Sequence, residues 1–143
     1  MPGTVLIERL QTINARDEKD IRRIYQDSWS DILTPMTLRI VLQQSHVLVA
    51  RNEDGAIVGF LTVVYYRRMK GLIADIHDVA VAKEYRRQGV ATRLLKEARE
   101  RVRLMQSYQM GLTTYPDNEA ARALYRAAGG KEMTVEAFKW KPV

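Results

Sequence analysis

Apolar positions recur first with a period of two, then with a period of three to four, and the switches between these rhythms cut the chain into ten segments. Val5 to Leu10 reads as a strand. Asp17 is placed to cap a helix whose stripe is Ile21, Ile24, Tyr25 and Trp29, and Ser28-Trp29-Ser30-Asp31 breaks that stripe. Pro35 suits the first turn of a second helix reaching about Gln44. Val47 to Ala50 is a strand, and Asn52-Glu53-Asp54-Gly55 a hairpin turn. Ile57 to Tyr66 is apolar on both faces, as a central strand is. Arg67-Arg68-Met69-Lys70-Gly71 makes a second turn before the strand Leu72 to Val81. Ala91, Leu94, Leu95, Ala98, Val102 and Met105 then recur at helical spacing, opposite a face with Arg93, Lys96, Glu100 and the i,i+4 pair Glu97–Arg101. Met110 to Thr114 is a short strand. Asp117 or Asn118 caps a last helix carrying Ala121, Leu124, Tyr125 and Ala128, which Gly129 ends. Thr134 to Trp140 reads as a terminal strand, with room for a partner just before it.

The order is β-α-α-β-β-β-α-β-α-β. The strand–helix–strand unit from Leu72 to Thr114 predicts a right-handed parallel crossover, and the earlier hairpins predict antiparallel pairs. An α/β chain with a mixed, mostly antiparallel sheet and helices on both faces follows. A length of 143 residues suits one domain over 1–143.

Composition narrows the chemistry. No apolar run approaches the ~18 residues of a spanning helix, so no membrane partner is expected. Zero cysteines exclude disulfides, a thiolate nucleophile and Cys-held metal, and two histidines with no ligand cluster predict no metal. Met1-Pro2-Gly3-Thr4 lacks a basic and apolar leader pattern, and the expected location is cytoplasmic. The net charge of +6 fits a solvated basic surface or an anionic ligand. Nucleic acid suits the sign, but the basic residues are spread without aromatic interleaving or a known motif, so it is disfavoured.

One stretch offers a better anion site. Arg86-Arg87-Gln88-Gly89-Val90-Ala91 links a strand to an amphipathic helix. A glycine turn there leaves backbone N–H groups pointing outward at the positive end of the helix dipole, a natural phosphate site.

The spacing Arg-x-x-Gly-x-Ala resembles the pyrophosphate signature Gln/Arg-x-x-Gly-x-Gly/Ala of the GNAT superfamily of N-acetyltransferases. The run from Ile76 to Ala91 resembles that family's Val-x-x-x-(Tyr/Phe)-Arg-x-x-Gly-x-Gly/Ala stretch, and Asn118 to Gly129 its Asn-x-x-Ala-x-x-Leu/Phe-Tyr block followed by glycine. Gly130 departs from it, where the family usually has Phe. The resemblance covers nearly the whole chain. It implies the GNAT fold, with a central parallel pair splayed for CoA, and acetyl-CoA as acyl donor to an amine. It also implies that backbone amides of Arg87, Gln88, Gly89, Val90, Ala91 and Thr92 hold the pyrophosphate, with Arg86 among the cofactor-binding residues. The backbone of Val79, Ala80 and Val81 would bond the pantetheine arm, Asn118 would contact the cofactor near the thioester, and Tyr125 would sit beside the sulfur. Dimers are common in similar proteins, so a homodimer is among the states it allows.

The chemistry agrees with those roles. Without cysteine the acetyl group passes directly to the amine. A lysine-like amine with pKa ~10.4 must lose a proton to attack, so a base is useful. The leaving thiolate needs an acid, and a Tyr125 O–H donates well. Asp75 and His77 lie two apart on one strand face, and the resemblance implies a base on this strand at one or the other of these positions, so they are the base candidates, while strict alternation turns Asp78 the opposite way. Trp29, Ser30 and Asp31 lie in the region that lines the acceptor site in similar proteins, and Tyr65 and Tyr66 are candidates to flank the same cleft. Set against these roles, Tyr125 on an apolar stripe also reads as a core tyrosine, Asn118 as a helix cap, and His46 as structural. A non-catalytic acyl-CoA-binding module of the same fold is the alternative reading. The acceptor stays open among small amines, antibiotics, amino acids, polyamines and protein amines.

Overall fold

In the structure, a computed structural model describing residues 4–142, five strands line up in chain order: β1 (Leu6–Leu10), β2 (His46–Arg51), β3 (Ile57–Arg68), β4 (Gly71–Val81) and β5 (Gln109–Gly111). Met1, Pro2, Gly3 and Val143 lie outside the described residues. The first three strand pairs are antiparallel and β4–β5 is parallel. Helices α1 (Ala15–Trp29) and α2 (Pro35–Gln44) join β1 to β2, and α3 (Val90–Leu104) joins β4 to β5. The chain divides into two compact units, Met1–Thr113 and Thr114–Val143, and all of these elements belong to the first.

Strand alternation explains why helices cover both faces. Leu10, Val47, Val49, Phe60 and Ala80 form one buried face against Ile21 and Ile24 of α1 and Leu38 of α2. Fully burying an isoleucine contributes roughly 1.5–3 kcal/mol, so this stripe fixes the rotation of α1. On the other face α3 packs through Val90, Leu94, Leu95, Ala98 and Val102. Its closest seat is Gly59, where an added Cβ would lie 3.1 Å from Val90 Cγ1, 3.2 Å from the Ala80 carbonyl and 3.4 Å from Leu94 Cδ1.

Capping differs from the sequence expectation. Asn14, not Asp17, caps α1, its Oδ1 accepting the Asp17 N–H at 2.8 Å. Asp17 is buried and used elsewhere: Arg51 Nη1 and Nη2 donate to its carboxylate at 2.8 and 3.0 Å. Arg51 also donates to Glu8 at 2.6 Å and to the Gly55 carbonyl at 3.0 Å. The Arg51 hydrogen bonds hold the Asp17 carboxyl below its ordinary value, and donating to Asp17 and Glu8 pushes Arg51 up. This network joins β1, α1, β2 and the hairpin turn.

β4 is not a regular strand. Thr62 pairs with His77 but Phe60 pairs with Ala80, so Leu61 alone faces both Asp78 and Val79. Asp78 adopts φ +55° in this bulge, a left-handed geometry that Asp tolerates better than most residues. Strict alternation ends there, which corrects the expected facing of Asp78.

The second unit holds α4 (Glu119–Ala127), capped by Asn118, whose side chain accepts the Ala121 N–H at 3.1 Å. Gly129 at φ +94° ends it, with Gly129 N–H on the Arg126 carbonyl and Gly130 N–H on that of Tyr125, both at 3.0 Å. This is a Schellman motif. Glu132 accepts hydrogen bonds from Arg122 and Arg126 at 2.7 and 2.5 Å. From Gly130 to Pro142 there is no regular secondary structure, so the strand expected over Thr134–Trp140 does not form. A strand needs a neighbour to complete its ladder, and this segment has none among the described residues.

Two outcomes test these features. Asp17→Asn leaves Arg51 short of its main partner and is expected to cost about 2–4 kcal/mol at pH 7, less than a fully buried broken pair because Glu8 remains. Because the folded Asp17 carboxyl is depressed, its contribution is complete above about pH 3.8, the ordinary value, and is lost as pH falls below it. Denaturant melts should therefore show the wild-type advantage level from pH 7 to about pH 4 and shrinking from there toward pH ~2; a constant gap would refute the ionic account. At the bulge, Asp78→Gly should leave stability within about 1 kcal/mol, whereas Asp78→Val should lose about 1–2 kcal/mol to left-handed strain. Equal stability of the two variants would remove the strain argument.

Candidate functional site

The β4–β5 ladder is short. Ile73 pairs with Gln109, Ala74 with Met110 and Asp75 with Gly111, and then the pairing stops. β4 runs on through Val81 with no neighbour on that side. Ala82 N–H donates to the Val58 carbonyl at 2.8 Å, so the backbone polar groups of Ala80 and Ala82 face β3. By alternation, those of Val79 and Val81 face the gap left by β5. The Val81 carbonyl there accepts Arg86 Nε at 3.1 Å.

Beyond Val81 the chain makes one 3-10 turn at Lys83–Tyr85, passes Arg87 at φ +61° and Gly89 at φ +82°, and enters α3 at Val90. The Tyr85 hydroxyl accepts Asn52 Nδ2 at 3.0 Å, and Gln88 Nε2 donates to the Glu84 carbonyl at 2.9 Å, which hold the turn. Gly89 accepts the Arg93 N–H at 3.0 Å but has no side chain to cap the helix. Arg93 is the first residue of this helix start whose amide finds a main-chain acceptor, which leaves the Val90, Ala91 and Thr92 amides open. No acidic residue occupies the first turn. A Cβ at Gly89 would meet no atom within 4 Å, so the approach is clear. Open amides, helix dipole and the exposed Arg87 beside them make an anion cradle. A strand edge that leads to this cradle leaves room for an extended, hydrogen-bonding ligand with an anionic end.

Asp75 and His77 share the sheet face covered by α1 and α2, opposite Val64 and Thr62. His77 is exposed and Asp75 half-buried. Tyr66 lies on the same face, where desolvation and then the Asp75 carboxylate push its phenol up. Tyr65 faces the other way and stacks edge-on with His46, centroids 4.9 Å apart. The two tyrosines therefore do not flank one cleft, a correction that follows from strand alternation. Trp29 stacks on Tyr25 at 4.9 Å, and Ser30 ends α1 at φ +53°. Burial, then the carboxylates of Asp31 and Asp78, push the Tyr25 phenol up. Among the described residues no group of three His, Cys, Asp or Glu is arranged to hold a metal ion, and no helix is long and apolar enough to cross a membrane.

In the second unit, Asn118 is engaged as the α4 cap, and Tyr125 stands half-buried on α4, burial pushing its phenol up. Three features escaped the sequence: the left-handed Asp78, the Arg86–Val81 hydrogen bond, and the influence of Asp31 and Asp78 on Tyr25. Only the first left a trace, since Asp is among the few residues that enter a left-handed bulge readily.

Residues 10–129 match the model of the acetyltransferase (GNAT) family. The N-alpha-acetyltransferase 30 of Schizosaccharomyces pombe is 30% identical over 116 residues, 78% of this chain and 75% of that protein. Among solved structures, the aminoglycoside acetyltransferase meta-AAC0020 from an uncultured soil metagenomic sample, in complex with sisomicin, superposes with a TM-score of 0.85 at 22% identity, covering 97% of each chain. AAC(6')-Iy in complex with the bisubstrate analog CoA-S-monomethyl-acetylneamine superposes with a TM-score of 0.80 at 18% identity, covering 99% of this chain and 100% of that one. With a family match across most of its length, on a mixed sheet of the expected order, this chain belongs to the GNAT family of acetyltransferases and is an acyltransferase.

Proposed function

We propose that the protein moves an acetyl group from acetyl-CoA directly to a primary amine, that its whole length acts as one catalytic domain, and that it works in the cytoplasm. The observation that carries this reading is the unpaired continuation of β4 beside the uncapped start of α3. Acetyl-CoA supplies an activated acyl thioester. The amides of Val90, Ala91 and Thr92, with Arg87, Gln88 and Gly89 around them, bind its pyrophosphate. Val79 and Val81 orient the arm through their backbone, and Ala80 anchors that stretch to β3. Arg86 works through the Val81 carbonyl it binds, holding the strand end against the turn. Asn118 keeps α4 started and turns its remaining capacity to the cofactor.

Tyr125 donates its phenolic proton to the departing sulfur. Its raised pKa suits that role, because the group stays protonated throughout neutral pH. Asp75 or His77 removes the proton from the attacking amine, directly or through water. With no cysteine in the chain, no thiol of the protein carries the acetyl group.

Gly89→Val should fold, since only left-handed strain of about 1–2 kcal/mol opposes it, yet it places a branched side chain where the pyrophosphate approaches. CoA affinity measured by calorimetry is expected to fall at least about tenfold, equal to about 1.4 kcal/mol; unchanged affinity in a folded variant would overturn the cradle. Tyr125→Phe should lower kcat by roughly 10–10³-fold with CoA affinity kept. In the wild type, kcat should fall on the alkaline side only above the ordinary tyrosine value of 10.0. A variant with wild-type kcat, chemistry being rate-limiting, would remove Tyr125 from the mechanism. Asp75→Asn and His77→Gln divide the base role: the variant that loses both rate and the acidic limb of kcat/KM names the base, and wild-type profiles in both would assign it to neither.

A further inference from the structure

We infer that the sheet face beneath α3 carries a binding site for a compact oxyanion, phosphate or carboxylate, clasped by Arg9 and Arg101 beside His46 and Tyr65. Strand register assembles the sheet side of this site. Arg9 opposes Leu48 and His46 opposes Val63, so Arg9, His46 and Tyr65 stand on one face of β1, β2 and β3. Each is the diagonal neighbour of the next, a spacing that long side chains span. The His46 and Tyr65 rings already meet edge-on, centroids 4.9 Å apart. Helix α3 packs over the same three strands, and Arg101 lies beside the buried Val102, one turn beyond the buried Ala98. All four side chains are half-buried. Strands lie ~4.8 Å apart, so donors from three neighbouring strands and a helix above them converge on a small group.

Charge in this cluster is unbalanced. Arg9 Nε is closed off from solvent and has no hydrogen-bond partner. Arg9 forms no ion pair among the described residues. The nearest carboxylate in sequence, Glu8, turns to the other face and takes Arg51 at 2.6 Å. Arg101 gives Nε to Glu97 at 2.9 Å, which leaves the outer fork of its guanidinium open. Two guanidiniums therefore share one carboxylate. Both act on the same two rings. Burial, then Arg9 and Arg101, hold the His46 imidazole below its ordinary value, and burial pushes the Tyr65 phenol up against the pull of Arg101 and Arg9. Half-buried positive charge with an orphaned N–H is short of acceptors. An oxyanion supplies them through charge-assisted bonds from the two forks, with the imidazole N–H and the phenol O–H as further donors.

This site is separate from the cradle. Arg101 stands roughly 16 Å along α3 from Val90, at 1.5 Å per residue. The helix dipole is negative at that end, so attraction falls on the arginines alone and both are needed. Nothing in the inference depends on acetyl transfer.

The chain has two histidines, so their imidazole proton signals can be followed individually, and His77, on the opposite sheet face, serves as reference. Potassium phosphate and potassium acetate, titrated separately at constant ionic strength, should move the His46 signal saturably, and the tighter ion names the ligand group. The charged and titratable groups around His46 are Arg9 of β1, Tyr65 of β3, and Glu97 and Arg101 of α3. A bound negative charge among them favours the imidazolium, so the His46 midpoint should rise on binding. By linkage, binding should tighten as pH falls below the ordinary 6.5. Arg9→Leu and Arg101→Leu should each weaken binding at least about tenfold. Each should also raise the His46 midpoint without added ion, by removing a repelling charge. Far-UV spectra check folding, and either variant decides if the other fails to fold. The His46 response should persist in Gly89→Val. A His46 signal that follows ionic strength alone, undiminished binding in either folded variant, or loss of the response in Gly89→Val would each overturn the inference.

Discussion

Backbone hydrogen bonding along β4 is the constraint on which the rest depends. A strand interior to a sheet must satisfy N–H and C=O groups on both sides. β4 does so against β3 along its length but against β5 only as far as Asp75. The remainder of its far edge stays open because β5 ends at Gly111, and the next main-chain contact is the Arg86 side chain on Val81. This incompleteness arises because β5, the last strand of the sheet, covers β4 only from Ile73 to Asp75, and beyond it an extended ligand can finish the ladder. The bulge at Asp78 belongs to the same arrangement, since it resets which groups of β4 face β3 and which face the gap.

The glycine turn makes sense in that frame. Had Gly89 been Ser or Asp, its side chain would cap α3 and occupy amides that now stay open. The helix instead starts uncapped and is stabilised through Leu94, Ala98 and Val102 against the sheet. Local stability is given up at the helix end and recovered by packing one turn and more away.

Element order as far as α4, the parallel β4–β5 pairing and the glycine turn into α3 were legible in the sequence because each rests on local signals: period-two and period-3.6 alternation, Pro35 at a helix start, Gly89 before one helix and Gly129 at the end of another. The extra residue of the bulge was not, since it follows from register between β3 and β4, and an Asp at position 78 permits the left-handed turn without requiring it. The cap of α1 went to Asn14 because Arg51, distant in sequence, claims Asp17. The last strand was read from pattern alone, and pattern specifies a preference for pairing without naming the partner. The family was legible because its two motifs, around Gly89 and Tyr125, are compact.

Gly59 has a consequence beyond allowing close packing. The Val90 side chain sits directly over it, one residue past the glycine that opens the cradle. The thickness of side chain at position 59 therefore sets the height of the α3 entrance above the sheet, and with it the drop between the open amides of Val90, Ala91 and Thr92 and the β4 edge. A methyl group there would act as a shim under the helix. Ligand reach along this groove is gauged by an atom the protein does without.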